Sequence, residues 1–210
     1  MTQSATSDSV VVVIDDDGAV RAALKDLLES VGLKVILFQS AGEFLESTIP
    51  DTTCCMVLDV RMPAMSGLKL QEELARAEVQ VPIVFITGHG DIAMAVRAMK
   101  AGAVDFLTKP FSNQDLLDAV FAALERDRAR RTQEESISTL REHFTSLSAR
   151  EKEVLSRVAT GLLNKQIAGE LGVSEVMVKV HRANGMRKMR AKSLAELIRM
   201  TDLLRAAQVL

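Results

Sequence analysis

The chain has 210 residues, 48% of them apolar, enough to bury a sizeable core in one large domain or two modest ones. The net charge of −2 conceals two halves of opposite sign: residues 1–126 carry 10 Lys and Arg against 18 Asp and Glu (−8), residues 127–210 carry 16 against 10 (+6). No apolar stretch has the length of a membrane span, the polar leader Met1 to Ser9 lacks a signal-peptide core, and adjacent Cys54 and Cys55 lack zinc or disulfide spacing, so a cytoplasmic protein with reduced thiols is expected.

Apolar runs and helical stretches alternate up to about residue 126. Val10–Ile14 precedes a predicted helix over Val20–Val31, Val35–Phe38 precedes Ala41–Thr48, and Cys54–Leu58 precedes Leu68–Ala77. Ile83–Ile86 then precedes Ile92–Ala101, and Val104–Leu107 precedes Gln114–Glu125. The runs are short and unalternated, as strands covered on both faces should be, and Gly32, Pro82, Gly88 and Gly102 punctuate them. Such βα units predict a five-stranded, doubly wound parallel sheet sandwiched by helices. Residues 127–145 are charged and free of Gly and Pro, which predicts a partly helical linker. Residues 146–210 read as all-helical. Ser148 and Glu151 have capping-box spacing, Asn164 and Ser174 are expected caps, and Gly161 and Gly172 expected terminators. The short helix Lys165–Leu171, the turn at Gly172-Val173 and the helix Glu175–Met189 form a helix-turn-helix pattern.

The chemistry concentrates where the apolar runs end. Asp15, Asp16 and Asp17 follow the first run, Asp59 the third, Thr87 the fourth and Lys109-Pro110 the fifth. Parallel α/β sheets place their sites at these carboxyl ends. Carboxylates crowded there repel one another unless a cation lies among them, and hard oxygen donors suit Mg²⁺ or Mn²⁺.

These residues, with the blocks Thr87-Gly88-His89-Gly90-Asp91 and Ala98 to Phe106, resemble the receiver domain of bacterial response regulators. Residues 148–200 resemble the LuxR-type helix-turn-helix, and the combination is similar to FixJ-type regulators of two-component systems. The resemblance implies a flavodoxin-like receiver (1–126), a linker (127–145) and a DNA-binding domain (146–210). It implies that Asp59 is the phosphoacceptor, served by a sensor histidine kinase. Asp15, Asp16, Asp59 and the main-chain carbonyl of Arg61 would hold the metal. Thr87 and Lys109 would meet the phosphoryl oxygens, and Thr87 and Phe106 would form the switch. Asp17 has no counterpart among the family's ligands, and His89 is assigned no role.

In the basic half, the resemblance makes Lys179, Val180 and Ala183 the base-edge candidates, with Lys165, His181, Arg182 and Lys188 on phosphates. Lys179 can donate to guanine, whereas Val180 and Ala183 can only touch a thymine methyl. Two departures stand out: Met177 where the family commonly has Thr, and Gly185 inside the recognition helix, at roughly 1 kcal/mol relative to Ala. The implied activity is transcriptional regulation, most simply activation. The implied partners are double-stranded DNA, RNA polymerase and a second copy recruited by phosphorylation, with no membrane. An aspartyl-phosphate hydrolase would need a second Asp two residues after its nucleophile; Arg61 stands there, so a turnover enzyme is not expected. A DNA-binding protein with a relic pocket is disfavoured by the complete set Asp15, Asp16, Asp59, Thr87 and Lys109.

Overall fold

The computed structural model describes residues 9–88 and 92–207; His89 and most of the leader lie outside them. Its strands are β1 (Val10–Ile14), β2 (Lys34–Phe38), β3 (Cys54–Asp59), β4 (Ile83–Thr87) and β5 (Asp105–Thr108). They form one parallel sheet in the order β2-β1-β3-β4-β5. Helices α1 (Gly18–Ser30), α2 (Ala41–Leu45), α3 (Gly67–Arg76) and α4 (Ile92–Lys100) alternate with the strands, and α5 spans Asn113–Thr145.

The continuous apolar runs make sense once both faces are seen. Val11, Val13, Cys55, Val57, Val84 and Ile86 face Leu24 and Leu28 of α1 and Leu116 and Val120 of α5. Their neighbours Val12, Ile14, Met56, Leu58 and Phe85 join the core that contains Phe44 of α2, Leu70 and Leu74 of α3, and Ala98 of α4. Successive strand residues point to opposite faces, so a strand with helices on both sides has no polar position to offer. Burial contributes about 1.5–3 kcal/mol for each large side chain, which holds the strand ends in fixed register. In that register Ile14 stands opposite Leu58, and Thr87 opposite Thr108. Asp15, Asp59 and Lys109 are thereby delivered to one edge. The order reverses between β1 and β3, the switch point where open α/β sheets form their crevice.

Local details depart from the sequence reading. Helix α2 stops at Leu45, short of Thr48. Asp17 caps α1, its carboxylate accepting from the Ala19 and Val20 N–H groups, which gives the third acid of the run a structural role. The segment 127–145, expected as a partly helical linker, lies wholly within α5. The first compact unit ends at Arg131 and the second begins at Thr132, somewhat past the expected boundary at 126. The reason is Asp127: fully buried, it accepts from the Cys54 N–H at 2.9 Å and from the guanidinium groups of Arg130 and Arg131. A buried carboxylate so satisfied ties this stretch of α5 to the start of β3.

The second unit is helical: the end of α5, then α6 (Ala149–Ala159), α7 (Asn164–Leu171), α8 (Glu175–Lys188) and α9 (Leu194–Ala206). Leu140, Leu155, Ile167, Val178, Met189 and Leu197 are among its buried core. The capping box at α6 is formed both ways: Glu151 N–H donates to Ser148 Oγ, and Ser148 N–H to Glu151 Oε2. Ser174 caps α8 as expected. Asn164 does not cap α7; it is the first helical residue, and Leu163 holds the cap position while its N–H donates to Gln166 Oε1. Gly185, an apparent flaw in α8, sits against α6. A Cβ there would lie 2.8 Å from Leu155 Cδ1 and 2.9 Å from its Cγ, so the residue permits close helix packing at its cost in helix propensity. Among the described residues no helix is long and apolar enough to cross a membrane.

Candidate functional site

In the first unit, oxygen atoms of Asp15, Asp16 and Asp59 lie within 4.8 Å of one another. Asp15 and Asp59 are buried and Asp16 is exposed. Asp15 is well held: its Oδ1 accepts the Asp17 N–H at 2.8 Å, its Oδ2 accepts Lys109 Nζ at 2.8 Å, and Arg21 Nη1 donates to its carbonyl. Asp59 is not. Its Oδ1 is buried, 3.9 Å from Lys109 Nζ, and among the described residues has no hydrogen-bond partner. Burial pushes the Asp59 carboxyl above its ordinary value, and the charges of Asp15 and Asp16 add to this. Lys109 and the Arg61 backbone N–H pull the other way.

A carboxylate oxygen out of water and unpaired costs free energy that a folded protein normally removes. Here an excess of hard, negative oxygen donors opens to solvent at Asp16. That set suits a hard divalent cation retaining water ligands. Thr87 is buried at the end of β4, and its carbonyl accepts the Lys109 N–H at 2.7 Å. The sequence-predicted Asp15, Asp16, Asp59, Thr87 and Lys109 therefore share one strand-end edge. Arg61 contributes its amide here. Phe106 is half-buried on β5, its ring 6.2 Å from that of Phe85.

Gly67 was missed from the sequence. It opens α3, its N–H donates to the Val60 carbonyl, and a Cβ there would lie 2.3 Å from the Asp59 carbonyl oxygen. Only a residue without a side chain lets α3 begin so near Asp59. A glycine just before an apolar helical stretch was the available signal.

In the second unit, Gly172 adopts a left-handed conformation (φ 64°) that ends α7 and turns the chain into α8. Lys179, Val180 and Ala183 are exposed together on α8, and Lys165 is exposed on α7. His181 is half-buried. Arg182 is half-buried too and donates to Asn164 Oδ1 at 3.1 Å, joining α8 to α7. Lys188, read from the sequence as a phosphate contact, is engaged within its own domain. Its ammonium lies 2.7 Å from buried Glu151 Oε2 and donates to the Ser146 carbonyl. The Lys188 hydrogen bond, then the Ser148 N–H, hold the Glu151 carboxyl below its ordinary value. This lysine belongs to the domain's own framework.

Comparison with known proteins identifies the family of each unit. The response regulator receiver domain family matches residues 11–121, and the LuxR family of bacterial regulatory proteins matches residues 145–201. Nodulation protein W of Bradyrhizobium diazoefficiens is 56% identical over 200 residues, covering 95% of this chain and 88% of that protein. Response regulator protein TodT of Pseudomonas putida is 51% identical over 197 residues, covering 94% and 87%. The solved structure of the response regulator StyR superposes with a TM-score of 0.85 at 51% identity, covering 93% of this chain and 98% of that one. Full-length FixJ from B. japonicum gives a TM-score of 0.58 at 39% identity, covering 96% and 98%. An acidic pocket on a parallel sheet, a helix-turn-helix and relatives matched along nearly the whole chain lead to one conclusion: the protein belongs to the two-component response regulators that join a receiver domain to a LuxR-type DNA-binding domain and regulate transcription.

Proposed function

We propose that Asp59 accepts a phosphoryl group from the phosphohistidine of a sensor kinase in the cytoplasm, and that this promotes dimerisation and DNA binding, activating transcription. The observation that carries the reading is the buried Oδ1 of Asp59, without a hydrogen bond among the described residues, beside Lys109 and two further carboxylates. That oxygen forms the new bond to phosphorus while the bond from phosphorus to the kinase imidazole breaks, the imidazole leaving with the electron pair. Asp15, Asp16, Asp59 and the Arg61 carbonyl would hold Mg²⁺ or Mn²⁺, which when bound supplies positive charge to offset the carboxylates and the incoming phosphoryl oxygens. Lys109 moves from Asp15 to a phosphoryl oxygen, a short shift for a flexible side chain already 3.9 Å from Asp59. Thr87 donates its hydroxyl to another, and Phe106 turns inward as Thr87 moves. Arg61, standing where a hydrolase would place its acid/base, gives the pocket no means of rapid turnover, so the protein is not a turnover enzyme.

The proposed dimer forms through α4, β5 and the first part of α5. On α4, Ile92, Val96 and Met99 are exposed at i, i+4 and i+7, an apolar stripe of the kind that marks an association surface. Two DNA-binding domains then meet an inverted repeat with half-site centres about one helical turn apart. Lys179, Val180 and Ala183 read base edges, while Lys165, His181 and Arg182 approach phosphates, and the bound protein contacts RNA polymerase. Incubation with a small phosphodonor and Mg²⁺ tests the reading: intact mass should rise by one phosphoryl group and light scattering should show a dimer. No mass gain would end it; a gain without dimerisation would remove the dimer step.

A further inference from the structure

We infer that Val176 is a specificity-determining residue of α8, reading the C5-methyl of a thymine two base steps from the pair met by Val180; this rests on the proposal that α8 lies in the major groove. Val176 is 68% exposed and Val180 46%. They stand at i and i+4, with Ala183 at i+7, and so share one face of the helix with Lys179 between them. That face is apolar where a helix directed at solvent would be polar, and valine is a poor helix former, so local stability does not account for it. Lys165 on α7 and Lys179, Arg187 and Arg190 around α8 are exposed cations. They make this apolar strip part of a surface for a polyanion rather than for a second apolar protein face.

An apolar strip inside a cationic face has one matching feature in duplex DNA: the thymine methyl, the apolar group a base presents in the major groove. The separation fits. Four residues of α-helix advance about 6 Å, close to two base steps of about 3.4 Å each. Two valines therefore reach methyls two base pairs apart, while Lys179, between them on the helix, is left for a guanine. The sequence reading centred on Lys179, Val180 and Ala183 and gave Val176 no role. Its exposure, one turn nearer the amino-terminal end of the helix, is what the structure adds.

The test uses the full chain, phosphorylated with a small phosphodonor and Mg²⁺, to select binding sites from random duplex DNA. Each thymine of the selected site is then replaced by uracil, which removes the methyl and keeps the hydrogen-bonding edge. Uracil at one position should weaken wild-type binding about fourfold, the equivalent of about 0.8 kcal/mol for one buried methyl. The Val176→Ala protein should bind thymine and uracil duplexes equally at that position, and Val180→Ala should do the same two base pairs away. Val176 is exposed, so an unchanged thermal melt should confirm that the variant folds. Equal losses for Val176→Ala on thymine and uracil duplexes would overturn the proposal in favour of a backbone or protein contact, as would no loss on either. Failure to enrich any sequence would remove the DNA-reading role of α8, and this proposal with it.

Discussion

Two lysine–carboxylate pairs of nearly equal length serve opposite ends. In the DNA-binding unit, Lys188 and Glu151 meet at 2.7 Å, and Glu151 also accepts the Ser148 N–H; the group is closed and its carboxyl is held low. In the receiver unit, Lys109 meets Asp15 at 2.8 Å, yet two more carboxylates crowd the same edge and Asp59 Oδ1 has no hydrogen-bond partner among the described residues. The distances alone do not tell these pairs apart. The charge balance around them does: one lysine answers one carboxylate at Glu151, while three carboxylates crowd Lys109 and leave an excess of negative charge there.

The sharpest break of that contrast is Asp59→Asn. It should abolish the phosphodonor-dependent mass gain entirely. It should also leave the metal-free receiver at least as stable as before in urea titrations, because it removes a buried, raised carboxyl. Loss of stability would show that Asp59 is a structural group after all. Next in size, Gly67→Ala should cost the receiver about 3 kcal/mol or more, since the added Cβ meets the Asp59 backbone and not a flexible tip. Slower phosphorylation measured on the folded fraction would place that backbone contact in the site; an unchanged melt would refute the close approach.

For the closed pair the expectation is reversed. Lys188→Met should destabilise the DNA-binding unit by roughly 1–3 kcal/mol, leaving Glu151 buried without its cation. The salt dependence of DNA binding should stay the same; a flattened salt slope would restore Lys188 as a phosphate contact. Lys179→Ala should leave the melt unchanged and cost about 1–3 kcal/mol of discrimination at one base position, with equal losses on random and selected DNA as the contrary result. The smallest effect is on pH. Glu151 has a folded value lowered below the ordinary 4.5, so its contribution is full above 4.5 and is lost as pH falls through the lower folded value. Acid unfolding of wild type should therefore show a loss below pH ~4.5 that Glu151→Gln lacks.

Much of this was legible because it is local. Strands ending in Asp15, Asp59, Thr87 and Lys109 follow from short apolar runs bounded by turn residues, and the capping box of Ser148 and Glu151 from a three-residue spacing. A left-handed Gly172 and a cap at Ser174 announce the helix-turn-helix in the same way. Asn164 misled because its side chain suits a cap and equally suits the partner it found in Arg182, a residue on the next helix.

What the sequence determined by itself was the order of elements, the strand-end placement of Asp15, Asp59, Thr87 and Lys109 and the opposite charge of the two halves. Tertiary structure alone decided which lysine closes a pair inside its own domain and which borders a cluster of three carboxylates, why Asp127 is buried, and why Gly67 and Gly185 have no side chain. The reason is physical. Periodicity and capping act over a few neighbouring residues and leave a pattern there. The Lys188–Glu151 pair, the Asp127–Cys54 bond and the approach of Gly185 to Leu155 join residues far apart in the chain. Packing brings them together, and no local run of residues records that.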